Sequence, residues 1–326
     1  MSRLDRPAPL DELGAAAPGG APPDGADSGT TADDGPRTGH TDGHVDDAGP
    51  PPVASPEVDT AAWGLRWWRE ILYIALFYGV YTVIRNQFGS AAVDSTTAYN
   101  HAREIIALEK AIGLFHEQTI QSWFLDWPWF LRFWNVFYGT FHFAVTLGAL
   151  VWLFFRHPHD YRIWRSTLAF TTGLALVGFS LFPLMPPRLL CDCEWGAGQD
   201  NPAFVDTYDF VDTLQVHGGL WSFGEGTMAE LSNQYAAMPS LHFAWAAWSA
   251  LVLYPRVRHR WARILAALYP WATLFAIVVT ANHFWLDAVG GAIVLGMGFA
   301  FGSAFARFTE RRRTRSIDAV GLQPAG

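Results

Sequence analysis

The chain has 326 residues, of which 51% are hydrophobic, 15% aromatic and only 16% charged, a balance too apolar and too poor in charge for an ordinary soluble domain. The formal net charge of −8 sits in residues 1–60, where twelve carboxylates against Arg3, Arg6 and Arg37 give −9, so the remaining residues sum to +1. Acidity therefore says nothing about a substrate, and with Cys191 and Cys193 as the two cysteines no disulfide framework holds the fold.

Residues 1–62 are rich in Gly, Pro, Ala, Asp and Thr and almost free of large apolar side chains. Such a segment cannot bury enough surface to offset the entropy of ordering, so it reads as a disordered acidic tail. It lacks the apolar core and small-residue cleavage site of a signal peptide, which leaves the first hydrophobic helix as the membrane signal. A transmembrane domain follows over residues 63–308, then a basic C-terminal tail over 309–326.

Within that domain the expected fold class is all-α, a polytopic membrane protein with six transmembrane helices near 68–87, 130–154, 163–185, 234–254, 262–281 and 284–305. Each stretch is long enough, at about 1.5 Å per residue, to cross a hydrocarbon core of about 30 Å. Trp63, Trp67, Trp68, Trp127 and Trp129 stand at the predicted ends, where aromatic belts form. Between the first two spans, residues 95–126 carry Ile105, Ile106, Leu108, Ile112 and Leu114 in a helical rhythm interleaved with Glu109, Lys110 and Glu117. That pattern predicts amphipathic helices on the outer surface, with His116, Glu109 and Glu117 either on a solvated face or lining an entrance.

Placing both termini in the cytoplasm puts fourteen arginines on inner segments and five basic residues on outer ones, so the positive-inside rule favours that orientation. The outer segments then include 188–233, a Gly- and Asp-rich loop long enough to be functional. Cys191 and Cys193 lie in it, as a strained disulfide, a metal pair or two inert thiols.

Three short stretches fall at outer helix ends: Met185-Pro186-Pro187-Arg188, Met238-Pro239-Ser240-Leu241-His242, and Asn282-His283-Phe284-Trp285-Leu286-Asp287. His283 and Asp287, four residues apart, share a helix face, so the carboxylate can hold one imidazole nitrogen and leave the other nucleophilic. His242 is expected about two turns inside its span, where an imidazole is costly unless paired or functional. Arg188 offers a permanent charge and a planar fork matched to phosphate oxygens, and Ser240 a hydroxyl or backbone N–H at a helix start. His142 is a further buried ionisable group, either structural or substrate-positioning, and Asn282 adjoins the nucleophile candidate as a possible positioning residue. The bland readings are an interfacial cap for His283 and Asp287, a satisfied bundle histidine for His242, a membrane anchor for Arg188 and a simple helix cap for Ser240.

In this order the three motifs resemble those of the type 2 phosphatidic acid phosphatase superfamily, and within it Met-Pro-Ser-Leu-His-Phe, Ala-Asn-His-Phe-Trp-Leu-Asp and Pro-Pro-Arg look most like the inositol phosphorylceramide synthase branch. The resemblance covers about residues 65–305. It implies that His283 attacks phosphorus with Asp287 as its partner, that His242 protonates the leaving oxygen, and that no metal or other cofactor takes part. It implies as partners a membrane lipid and a polyol acceptor or donor head group, with no nucleic acid, and a site on the extracytoplasmic face of the cell membrane. The superfamily's phosphatases carry a lysine where this chain has Leu181 and an arginine where it has Ile277. Fewer cations suit a phosphodiester better than a monoester. The expected function is therefore an inositolphosphotransferase-like transfer through a phosphohistidine. A lipid phosphate phosphatase is the alternative enzyme, and a non-catalytic transporter or scaffold the alternative of another class.

Overall fold

The computed structural model describes residues 65–88, 94–190, 208–219 and 234–320. Among them the chain forms nine α-helices and no strand: α1 Trp67–Phe88, α2 Ser95–Ala111, α3 Glu117–Ser122, α4 Pro128–Arg156, α5 Pro158–Leu181, α6 Thr213–His217, α7 Leu241–Leu253, α8 Arg260–Val279 and α9 Trp285–Val320. The tail expected over 1–62 and the pair Cys191 and Cys193 lie outside the described residues.

Local chemistry sets the ends. Pro128 and Pro158 open α4 and α5 at positions where a missing N–H costs nothing. The Asp94 side chain caps α2 by accepting from Thr96 N at 3.3 Å. Pro183 restricts Phe182, so α5 stops at Leu181 and not near 185. Pro239 acts likewise on the predicted 234–254 span: the helix starts only at Leu241, capped by Ser240. At 13 residues α7 is roughly 20 Å long. His242 consequently lies in the first turn of its helix, not two turns inside it.

Three helical segments, Pro128–Arg156, Arg260–Val279 and Trp285–Arg312, are long and apolar enough to cross a membrane. α1 and α5 have the length but carry Arg69 and Glu70, and Asp160, Arg162 and Arg165. Large apolar side chains stand exposed along these helices, among them Phe143, Leu147 and Val151 of α4, Leu265 and Leu268 of α8, and Ile293 of α9. Continuous apolar surface of this extent calls for lipid as solvent, and the chain is a helical membrane protein.

α5 and α9 make the closest pair. A Cβ at Gly298 would come within 2.8 Å of Thr171 N and one at Gly302 within 2.5 Å of Thr167 N, so the two backbones meet where glycine leaves room. One core, with Tyr99, Ile106, Leu184, Met185 and Phe284, joins α2 to the turns after α5 and before α9. A second, with Leu153, Phe154, Tyr161, Trp248 and Val252, lies towards the other end of the bundle. Near that second end Arg165 is bonded to Glu70 at 2.7 and 2.8 Å, and Arg256 to Asp160 at 3.0 and 2.8 Å. The three sequence motifs all gather at the opposite end.

Candidate active site

Main-chain hydrogen bonds tie the three motifs together. Arg188 N donates to Ala281 O at 2.7 Å, Ser240 N to Asp287 O at 2.9 Å, and Leu184 N to Tyr235 O at 2.8 Å. Ala281 has φ +52°, a left-handed conformation that costs an alanine about 1–2 kcal/mol. Its surroundings enforce it: Asn282 N and His283 N both donate to Ile277 O, at 2.9 and 3.1 Å, and the Asn282 amide donates to Thr280 Oγ1 at 2.8 Å. Asn282 thus helps build the turn that presents His283, with its side-chain NH2 donating to Thr280.

His283 is 3% exposed and Asp287 fully buried. His283 Nδ1 faces two acceptors, Ala237 O at 2.9 Å and Asp287 Oδ2 at 3.1 Å. A carbonyl can only accept, so Nδ1 carries a proton, and in the neutral ring Nε2 is the nitrogen with the free lone pair. That Nε2 lies 3.3 Å from His242 Nδ1, which is the donor when the His283 ring is neutral. His242 stacks on Tyr138 at 4.2 Å and meets His142 at 4.1 Å between ring centroids. His142 Nδ1 donates to Tyr138 O at 2.8 Å, which turns its Nε2 edge away from its own helix backbone. Three histidines from α4, α7 and the turn before α9 therefore form one contact cluster.

Ser240 is fully buried, and its Oγ accepts from Phe243 N at 3.4 Å as the helix cap. Gly291 makes room for it, since a Cβ there would collide with Ser240 O. Arg188, at the start of the turn Pro187–Leu190, donates from Nη1 to Asp212 Oδ2 at 2.7 Å, and its buried Nε has no partner. Asp212 is 2% exposed and also caps α6 through Leu214 N and Gln215 N, at 3.1 and 3.3 Å. Both neighbours of Asp212 are clamped. Gln121 makes two 2.9 Å bonds with the Val211 main chain, and Asn135 binds Thr213 through its O and Oγ1, both at 2.8 Å.

Asp212, Gln121 and Asn135's clamp are absent from a reading of motifs, because an aspartate in a Gly- and Asp-rich loop looks solvated. Glu109 and Glu117 differ from both expectations. Each is fully buried, neither on a solvated face nor at an opening. Glu109 Oε1 accepts from Leu286 N at 2.9 Å and Glu117 Oε1 from Trp285 N at 3.2 Å, while Asp287 Oδ2 accepts from Phe284 N at 2.9 Å. The orphan N–H groups at the α9 start draw carboxylates, and these three acids take them in sequence. Burial first, then the Glu117 carboxyl beside it, push the Glu109 pKa up to about 9. Among the described residues no group of three or more His, Cys, Asp or Glu is arranged to hold a metal ion.

A family model described as the PAP2 superfamily matches residues 103–301, which include all three motifs. Comparison with curated proteins and with solved structures returns no match. The match covers more than half of the chain, which therefore belongs to the PAP2 superfamily and is an enzyme of its phosphatase and phosphotransferase kind.

Proposed function

We propose that the protein is a multi-pass phosphotransferase that moves a phosphoryl-linked group between a membrane lipid and a hydroxyl acceptor, in the manner of an inositolphosphotransferase, through a phosphohistidine at His283. The observation that carries this reading is the directed chain Asp287 Oδ2, His283 Nδ1, His283 Nε2, His242 Nδ1, with contacts of 3.1 and 3.3 Å. It leaves one nucleophilic nitrogen facing one acid.

In the first half-reaction the His283 Nε2 lone pair forms the N–P bond while the P–O bond to the leaving group breaks. The electron pair leaves with oxygen, which takes a proton from His242 as imidazolium. Asp287 offsets the positive charge that the phosphorylated ring acquires. In the second, the acceptor hydroxyl gives its proton to the now neutral His242, its oxygen attacks phosphorus, and the N–P bond returns its pair to Nε2. Arg188, through its unpartnered Nε, is the proposed contact for a phosphoryl oxygen, and Ser240 a second. In-line displacement puts acid and nucleophile on opposite sides of phosphorus, roughly 6 Å apart. The two rings are closer than that, so the arriving phosphoryl group separates them.

The same reading takes six membrane crossings, with α1, α5 and the stretch containing α7 joining the three long apolar segments, and both termini in the cytoplasm. Two features support it: the motifs gather at the bundle end away from Arg165 and Arg256, and fourteen basic residues fall on inner segments against five on outer ones. Incubating purified protein with labelled bacterial phospholipids, with and without inositol or another polyol, tests the function. A lipid-derived product that forms only with the polyol is the expected result. Release of free phosphate from phosphatidic acid, indifferent to any polyol, would make water the acceptor and the protein a lipid phosphate phosphatase.

A further inference from the structure

We propose that Asp212 selects the charge of the phosphate group: paired with Arg188, it cancels the guanidinium charge and makes the site favour singly charged phosphodiesters over doubly charged phosphomonoesters. The inference rests on the phosphotransfer reading and names its substrate class.

Arg188 is the cation of the first motif, and its Nη1 is already committed to Asp212 Oδ2 at 2.7 Å. The side chains are 12% and 0% exposed, so water screens little of the pairing. The Nε left without a partner can still donate to an anion, but that anion then shares the guanidinium with a carboxylate. Two anions on adjacent edges of one guanidinium stand roughly 6 Å apart. At an effective dielectric constant between about 20 and 40, each extra negative charge on the ligand is disfavoured there by about 10- to 100-fold.

The carboxylate is held in place deliberately. Gln121 grips the Val211 main chain with both ends of its amide, and Asn135 grips Thr213 with both ends of its own. Asp212 does cap α6, yet asparagine caps a helix equally well and a helix of five residues has only a small dipole to attract the charge, so capping accounts for little of it. The charge acts on Arg188.

The test compares wild type with Asp212→Asn, which keeps the cap and an oxygen acceptor for Arg188 but removes the charge, and with Asp212→Ser as a second uncharged cap. Binding of inorganic phosphate, largely dianionic at about pH 8, and of dimethyl phosphate, a monoanion, is measured calorimetrically on the detergent-solubilised protein. The expected result is a phosphate-to-dimethyl-phosphate affinity ratio raised by about 10- to 100-fold in both variants. An unchanged ratio in folded Asp212→Asn and Asp212→Ser overturns the proposal, as does loss of both anions, which would make Asp212 a structural support for Arg188. Turnover of phosphatidic acid and of a phospholipid diester is followed in parallel. A shifted binding ratio with neither lipid turned over by any form upholds the charge selection and rejects the phosphotransfer reading.

Discussion

Glu109→Gln should remove a pH dependence of stability that the wild-type chain carries. Glu109 is fully buried between α2 and the start of α9, with Oε1 on Leu286 N and Oε2 without a donor. Glu117 Oε2 lacks a donor as well, and a proton on Glu109 serves both, donated from one carboxyl to the other. The folded-state pKa is raised to about 9 from 4.5, so the native state holds a proton that the unfolded chain releases. Stability is therefore greatest below the unfolded pKa, begins to fall near pH 4.5, and goes on falling until the folded value near 9 is passed.

One proton of difference is worth about 1.4 kcal/mol per pH unit, hence at most about 3 kcal/mol between pH 6 and pH 8. For a domain of this size that is a drop in thermal midpoint of roughly 5–10 °C. Glutamine keeps the acceptor for Leu286 N and supplies a permanent donor to Glu117, so the variant should lose this contribution, fall less steeply than wild type and cross above it as pH rises. Thermal unfolding of both proteins in one detergent, followed at intervals from pH 6 to 8, reads this directly. Parallel profiles, or a steeper one in Glu109→Gln, would refute the shared proton.

The two histidines should fail differently. His283→Ala should abolish turnover and any acid-labile phosphoenzyme, whereas His242→Ala should slow poor leaving groups by about 10²–10⁴ and spare strongly acidic ones. Equal losses whatever the leaving group would undo that division of roles. Asp287→Asn should fall between the two, since Ala237 O still orients the ring while the charge opposite the phosphorylated imidazole is gone. For topology, Val216→Cys on the exposed face of α6, with Cys191 and Cys193 replaced by serine, should react with an impermeant thiol reagent in intact cells. Reaction only after the membrane is opened would reverse the orientation.

The motifs were legible because each combines residue types that are costly in an apolar end: an arginine, and histidines and an aspartate at helical spacing. Helix existence was legible for the same reason that ends were not. Hydropathy marks an apolar stretch without saying where its backbone stops being helical, so residues 234–240 read as span although Pro239 and Ser240 hold the helix off until Leu241. Asn282 is legible as a candidate from its place beside His283, and its side-chain NH2 bonds within the Ala281 turn. The acids were least legible. Asp212, Glu109 and Glu117 have solvated-looking sequence surroundings, and only the fold brings them to a buried guanidinium and to the orphan N–H groups of a helix 177 residues further on.

Those acids also bear on where a phosphate can rest. The starts of α6, α7 and α9 all carry residues of this site. The α6 start is capped by Asp212, and the α9 start by Asp287, Glu117 and Glu109 together. In both, the partial positive charge that attracts anions is already met by carboxylate. The α7 start differs, because its cap is the neutral hydroxyl of Ser240, bonded to Phe243 N at a long 3.4 Å. His242 belongs to that same first turn, and its Nδ1 faces His283 Nε2. Of these three, the start without a carboxylate is thus the one that carries His242 and faces His283 Nε2. On the proposed mechanism, the carboxylates at the α6 and α9 starts make those two positions unattractive to a phosphate and leave the α7 start, beside the two histidines, to receive it.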